Sequence, residues 1–113
     1  MLFHVHMEWI SNPSLITITP EQGKYFLENI VIPSLEMLAK DKRITGGGAF
    51  AGSRSVVFIV EENSADDLNE HLQVLPVWAF MHKTITPLQS FGTRAQHDRK
   101  LGSQIVALVG AKP

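Results

Sequence analysis

The chain contains no cysteine, and several other features that would mark a function are also missing. Without cysteine it can form neither disulfide bonds nor thiolate metal sites. Its 10 Lys and Arg residues are balanced by 11 Asp and Glu residues, so it offers no basic surface for nucleic acid or an anionic membrane. No apolar run reaches the roughly 18–20 residues that span a bilayer, and the N-terminus lacks the basic start of a signal peptide. We therefore expect a soluble, cytoplasmic protein that binds neither nucleic acid nor membrane.

Four segments of the chain have the composition of β-strands. Over Leu2–Trp9, apolar residues alternate with polar ones, which predicts a half-buried strand. Residues 55–62 hold a continuous apolar run, and two further strands are predicted at residues 44–52 and 79–88. Residues 46–48 are three successive glycines, which we interpret as a bulge or turn. A phosphate-binding loop is disfavoured because a strand, and not a Gly-Lys-Ser/Thr motif with a helix, follows them.

The first predicted helix has a clear start and an internal break. Thr19 and Gln22 have the spacing of a capping box, and apolar residues then recur at helical spacing toward Lys42. Pro33 lies inside this stretch, so we expect a kink or break near Ile32.

The second predicted helix is shorter and completes the order of elements. It is expected to begin at a cap formed by Asn63 or Ser64 and to end at Pro76. The order β-α-β-β-α-β is that of the ferredoxin-like unit, an α+β fold with a four-stranded antiparallel sheet and two helices on one face. The uncovered face of the sheet predicts a homodimer packed sheet against sheet. We assign residues 1–91 to this domain and residues 92–113 to an extension that packs on the domain or on a neighbouring subunit.

The first strand and the second half of the domain also carry motifs in a recognisable order. The chain starts Met1-Leu2-Phe3-His4-Val5-His6-Met7, and a helix with an acidic first turn is later followed by Ile85-Thr86-Pro87-Leu88. These motifs, spread over most of residues 1–91, resemble the muconolactone isomerase family. The resemblance implies a dimeric α+β barrel, a closed homo-oligomer and a reaction that needs no cofactor or metal. The chain departs from the family at residues 28–34 and 46–48, so the resemblance assigns no catalytic residue by position.

The resemblance implies a proton shift within an unsaturated lactone. One group removes a proton beside a carbonyl and returns it two carbons away, which requires a His or carboxylate with a pKa near the working pH. The candidates for this catalytic base are His6, Glu28 and His82, with Glu8 as a further candidate.

Four residues are candidates for binding the substrate. They include donors that could hold the developing enolate oxygen and aromatic rings that could contact an unsaturated molecule. The four are Tyr25, Arg54, Trp78 and Phe80. Structural roles compete with these assignments, because Tyr25 could lie at a rim and the other two aromatic residues could belong to the core or to an interface.

The histidines and Glu28 also have competing structural roles. Glu28 has the spacing of a surface ion pair with Lys24. His4 and His6 share a strand face, where His82 could join them, but no further ligand is fixed by the sequence. We therefore expect a polar strand face at a subunit contact and no metal site.

Three functions remain open at this point. The first is a cofactor-independent isomerase acting on a small apolar or lactone-like molecule of aromatic degradation, with a closed pocket that holds at least one of His6, Glu28 and His82. The second is a non-catalytic ligand-binding or oligomeric protein of the same fold. The third is a cofactor-independent monooxygenase, since that class shares the dimeric barrel.

Overall fold

One antiparallel sheet of four strands forms the centre of the domain. The protein is described by a computed structural model that covers residues 1–10 and 19–110. The strands are β1 (Leu2–Trp9), β2 (Ile44–Ala49), β3 (Ser55–Glu61) and β4 (Met81–Leu88). Their order in the sheet is β2-β3-β1-β4, and each hydrogen-bonded pair is antiparallel. The ferredoxin-like α+β fold predicted from the sequence is confirmed.

The alternation of β1 decides which face of the sheet is buried. Phe3, Val5 and Met7 are almost completely buried, whereas His4 and His6 on the other face are partly exposed. The helices within residues 20–72 pack on the first face, because apolar area removed from water stabilises that side. We call the second face the open sheet face.

The helical segment of residues 20–40 has three parts, which are α1 (Pro20–Phe26), a π turn (Leu27–Val31) and α2 (Ile32–Lys40). The capping box is confirmed, because the Gln22 N–H donates to Thr19 Oγ1 over 3.2 Å and the Thr19 N–H donates to Gln22 Oε1 over 2.9 Å. At Ile32 the N–H donates to the carbonyl of Leu27, five residues earlier. Pro33 has no N–H, so the helix continues through one widened turn and is not broken.

The other elements follow the predicted order with different ends. The third helix, α3 (Ala65–Leu72), is capped by Ser64, whose Oγ accepts from the Asp67 N–H over 3.1 Å. A 3₁₀ turn occupies Trp78–Phe80, so β4 starts at Met81 and not at residue 79. In β2 the register shifts between Ile44 and Gly46, so a bulge lies where the glycine run begins, and the three glycines themselves pair with β3.

The fourth helix, α4 (Phe91–Val109), occupies most of the extension predicted over residues 92–113. Every residue of α4 is exposed, so it does not pack on its own domain. Packing on a neighbouring subunit stays a prediction, and residues 111–113 lie outside the described range. In residues 1–10 and 19–110, no helix is both long and apolar enough to cross a membrane.

Candidate functional site

A cavity of about 420 Å³ lies between the buried face of the sheet and the helical segment of residues 20–40. Trp9 and Val56 line it from the sheet, and Leu27, Val31 and Leu35 line it from the helical segment. Leu27 and Val31 belong to the π turn, so the widened turn forms part of the cavity wall. π turns are often found at functional sites.

Aromatic rings form one side of the cavity. Trp9 meets Phe26 edge to face, with ring centroids 5.2 Å apart. Phe80 stacks on Trp9 at 5.9 Å and meets Phe26 edge to face at 5.2 Å. Phe50 also lines the cavity, and its ring stacks on His6 at 5.7 Å. The rings offer flat apolar surfaces that suit a small unsaturated molecule.

The polar groups of the cavity are few. Arg54 is the only ionisable side chain among the described residues that line it. The Arg54 carbonyl accepts from the Trp9 N–H over 3.0 Å, which fixes this loop residue against the end of β1. Ser34 is buried, and its hydroxyl donates to the Ile30 carbonyl over 2.8 Å and accepts from the Val77 N–H over 3.1 Å. Arg54 is therefore the group that can recognise a charge on a ligand.

Two of the four predicted substrate-binding residues belong to this region. Arg54 lines the cavity, and Phe80 belongs to the aromatic cluster beside it. Trp78 instead packs against the core, where Lys83 Nζ lies 4.1 Å from its ring centroid. Tyr25 is 66% exposed on the helical segment and lines neither described cavity.

The three predicted bases are not brought together. His6 and His82 lie on the open sheet face, where His82 pairs in register with Glu8 and His6 with Thr84. Glu28 lies at the helix surface, 3.8 Å from Lys24 Nζ. None of the three lines this cavity or the second cavity along β2, so their catalytic roles stay predictions. Among the residues described, no group of three or more His, Asp or Glu side chains is arranged to hold a metal ion.

A partly buried ionic cluster was not predicted from the sequence. Arg43 contacts Asp41 Oδ2 through Nη2 at 2.7 Å and Glu62 Oε1 through Nη1 at 2.7 Å. His71 Nδ1 lies 2.6 Å from the same oxygen of buried Glu62. Hydrogen bonding from the Arg43 side chain holds the pKa of Asp41 below its usual value. The cluster joins the start of β2, the end of β3 and α3, and no signal in the sequence links these distant positions.

The cavity residues were missed for a different reason. Trp9, Phe26 and Ser34 lie at apolar or helical positions that indicate core packing. Whether such residues fill the core or line a cavity depends on how far the helix lies from the sheet. The signal that pointed toward the site was Pro33, because the proline accompanies the widened turn.

Comparison with known families decides where the chain belongs. Residues 1–94 match the sequence model of the family described as muconolactone delta-isomerase. The chain belongs to the muconolactone delta-isomerase family. No curated protein sequence matches the chain. Family membership therefore rests on the match over the ferredoxin-like domain, and most of α4 lies beyond it.

One of three similar solved structures shows the same fold. A crystal structure of muconolactone isomerase matches with a TM-score of 0.59 and 20% identity, covering 80% of this chain and 90% of that one. Protein Atu4242 from Agrobacterium tumefaciens matches with a TM-score of 0.36 and 16% identity, covering 80% and 96%. An uncharacterized NIPSNAP domain protein from Burkholderia xenovorans matches with a TM-score of 0.37 and 19% identity, covering 80% and 97%. The first likeness supports the family's fold, and the other two are too low to carry an argument.

Proposed function

We propose that the protein is a cofactor-independent isomerase that moves a proton within a small unsaturated lactone or a related molecule bearing one carboxylate. The observation that carries the proposal is the aromatic-lined cavity with Arg54 at its wall, in a chain of the muconolactone delta-isomerase family. Muconolactone itself combines an unsaturated lactone ring with a single carboxylate, which fits the chemistry of this lining.

Each part of such a ligand has a matching part of the cavity. The ring packs against Trp9 and Phe26, whose faces are apolar and flat. The carboxylate pairs with the guanidinium of Arg54, which offers two parallel donors.

The reaction requires a base and a group that stabilises the enolate. The base removes a proton from one end of the three-carbon unit next to the carbonyl, which gives an enolate, and the proton returns at the other end, two carbons away, as the double bond migrates. None of the candidate bases lines the cavity; His6 is the one linked to it, through the stacking of its ring on Phe50, and it is tested first. Glu28 and His82 are tested as alternative bases.

The proposed assembly is a homo-oligomer in which the open sheet faces meet. This face carries His4, His6 and His82 together with the apolar Val57 and Ile59, and the helices pack on the opposite face of the same strands. Packing two such faces removes apolar area from water and leaves the cavity on the other side of each sheet.

A second candidate function is binding of the same class of molecule without catalysis. It is favoured by one observation, which is that no carboxylate or imidazole belongs to the described lining of the cavity. A site built only for binding needs Arg54 and the aromatic rings but no base.

Calorimetric titration with muconolactone, followed by an absorbance assay of its conversion, separates these functions. Binding with turnover supports the isomerase, and binding without turnover supports the second candidate. If millimolar muconolactone neither binds nor reacts, the proposal is wrong for this ligand. Loss of turnover in His6→Ala, with binding retained, would assign the base to His6, and full turnover in His6→Ala, Glu28→Ala and His82→Ala would exclude all three.

A further inference from the structure

Helix α4 exposes its entire surface, which is unusual for a helix of 19 residues. In proteins, most of the stability of a helix comes from packing of an apolar side and not from helix propensity. Gly92 and Gly102 weaken this one further, because glycine is a poor helix former. The helix therefore needs a surface that covers it.

Large exposed hydrophobic residues concentrate on two elements of the molecule. Six of them belong to α4, which are Phe91, Leu101, Ile105, Val106, Leu108 and Val109. Five belong to the helical segment of residues 20–40, which are Tyr25, Leu27, Ile32, Leu35 and Met37. Patches of this kind mark interaction surfaces, so each of the two elements is a candidate binding surface for the other.

The two elements are also complementary in charge and length. On α4 three basic residues outnumber one acid, with Arg94, Arg99 and Lys100 against Asp98. On residues 20–40 three acids outnumber two lysines, with Glu21, Glu28 and Glu36 against Lys24 and Lys40. At about 1.5 Å per residue both elements are roughly 30 Å long, so they can pack side by side.

We infer that α4 of one chain packs on the helical segment of residues 20–40 of a second copy of this chain. Packing on its own chain does not occur in the structure, where every residue of α4 is exposed. The exchange is reciprocal in a two-fold assembly, so each chain both gives and receives a helix. It stands independently of the proposed function, although Leu27 and Leu35 also line the cavity and the docked helix lies beside them.

Charge placed on the apolar side of α4 tests the contact in the full chain. Ile105→Asp is compared with Ser103→Asp, which adds the same charge about 200° away around the helix. Light scattering at matched concentrations is expected to show at least a tenfold weaker association for Ile105→Asp and the wild-type association for Ser103→Asp. Equal association of both variants and the wild type overturns the inference.

A cysteine pair identifies the acceptor surface and does not depend on the charged variant folding. The chain has no native cysteine, so Ile32→Cys with Ile105→Cys introduces the only thiols. On oxidation the double variant is expected to form a covalent dimer on a non-reducing gel, with each single variant forming less than a tenth as much. A disulfide within one chain, or no disulfide at all, overturns the inference.

Discussion

At the scale of single residues, Arg54 is the one ionisable side chain among the described residues that line the mostly apolar cavity, and we propose that it selects for a charged ligand. A neutral analogue of the ligand can fill the same space but cannot pair with the guanidinium. Specificity for a carboxylate therefore depends on this side chain more than on the shape of the cavity.

Ser34 has a different role at the same cavity. Its hydroxyl accepts from the Val77 N–H and donates to the Ile30 carbonyl, so it joins α2 to the start of the 3₁₀ turn. Ser34→Ala leaves the Val77 N–H without this acceptor, and we expect a loss of about 1–3 kcal/mol in the free energy of unfolding. Urea denaturation measures it. Ser103→Ala removes an exposed hydroxyl bond to Arg99 and serves as the control, and an equal effect of both changes contradicts the role given to Ser34.

Of the three glycines at residues 46–48, Gly47 is the one whose backbone conformation and surroundings exclude a side chain. Its φ is 127°, and a Cβ built there lies 2.2 Å from the Val57 carbonyl oxygen. Gly47→Ala is expected to lower the free energy of unfolding by about 2 kcal/mol or more, because both strain and a backbone clash oppose it. At Gly48 a Cβ meets nothing within 4 Å, so Gly48→Ala should change stability little. Thermal unfolding of the pair checks this, and equal melting temperatures would show that position 47 tolerates a side chain.

At the scale of elements, the ionic cluster of Asp41, Arg43, Glu62 and His71 holds β2, β3 and α3 together. The pKa of Asp41 is lowered in the folded protein, so its carboxylate stabilises the fold above the ordinary value near 3.8. This contribution is lost as the pH falls through the lowered pKa. We expect Asp41→Asn to be less stable than the wild type at pH 7, with the gap closing below about pH 4.

Urea denaturation at pH 7 and at pH 3 measures that gap. Asp98→Asn is the matched control, because Asp98 forms an exposed pair with Arg94 over 3.4 Å on α4. A gap between the wild type and Asp41→Asn that stays constant across this pH range would contradict the assignment.

The elements could be predicted where local chemistry decides them. The β1 alternation, the Thr19 capping box and the bulge at the start of the glycine run each depend on neighbouring residues, and all three are confirmed. The π turn was not predicted, because Pro33 prohibits one hydrogen bond without specifying how the helix accommodates its loss. The start of β4 was missed because the 3₁₀ turn at Trp78–Phe80 is held by packing of its aromatic residues on distant elements.

At the scale of the whole molecule, the site could be predicted only in part. Arg54 was predicted to bind the substrate and lines the cavity, but the strand polarity that suggested His6 and His82 places them on the opposite face of the sheet. Alternation assigns a residue to a face, and it does not say which face encloses a cavity. That depends on helix packing and on how copies of the chain assemble.

We propose that the cavity at Arg54 is where a lactone with one carboxylate is isomerised. Proton NMR of muconolactone incubated with the wild type, Arg54→Ala and the exposed control Arg99→Ala follows the migrating double bond directly. We predict that Arg54→Ala lowers kcat/KM roughly 10- to 100-fold, the loss expected for a charged hydrogen-bonded pair, while Arg99→Ala retains wild-type conversion. Equal conversion by all three proteins, or no conversion by the wild type, would contradict the account.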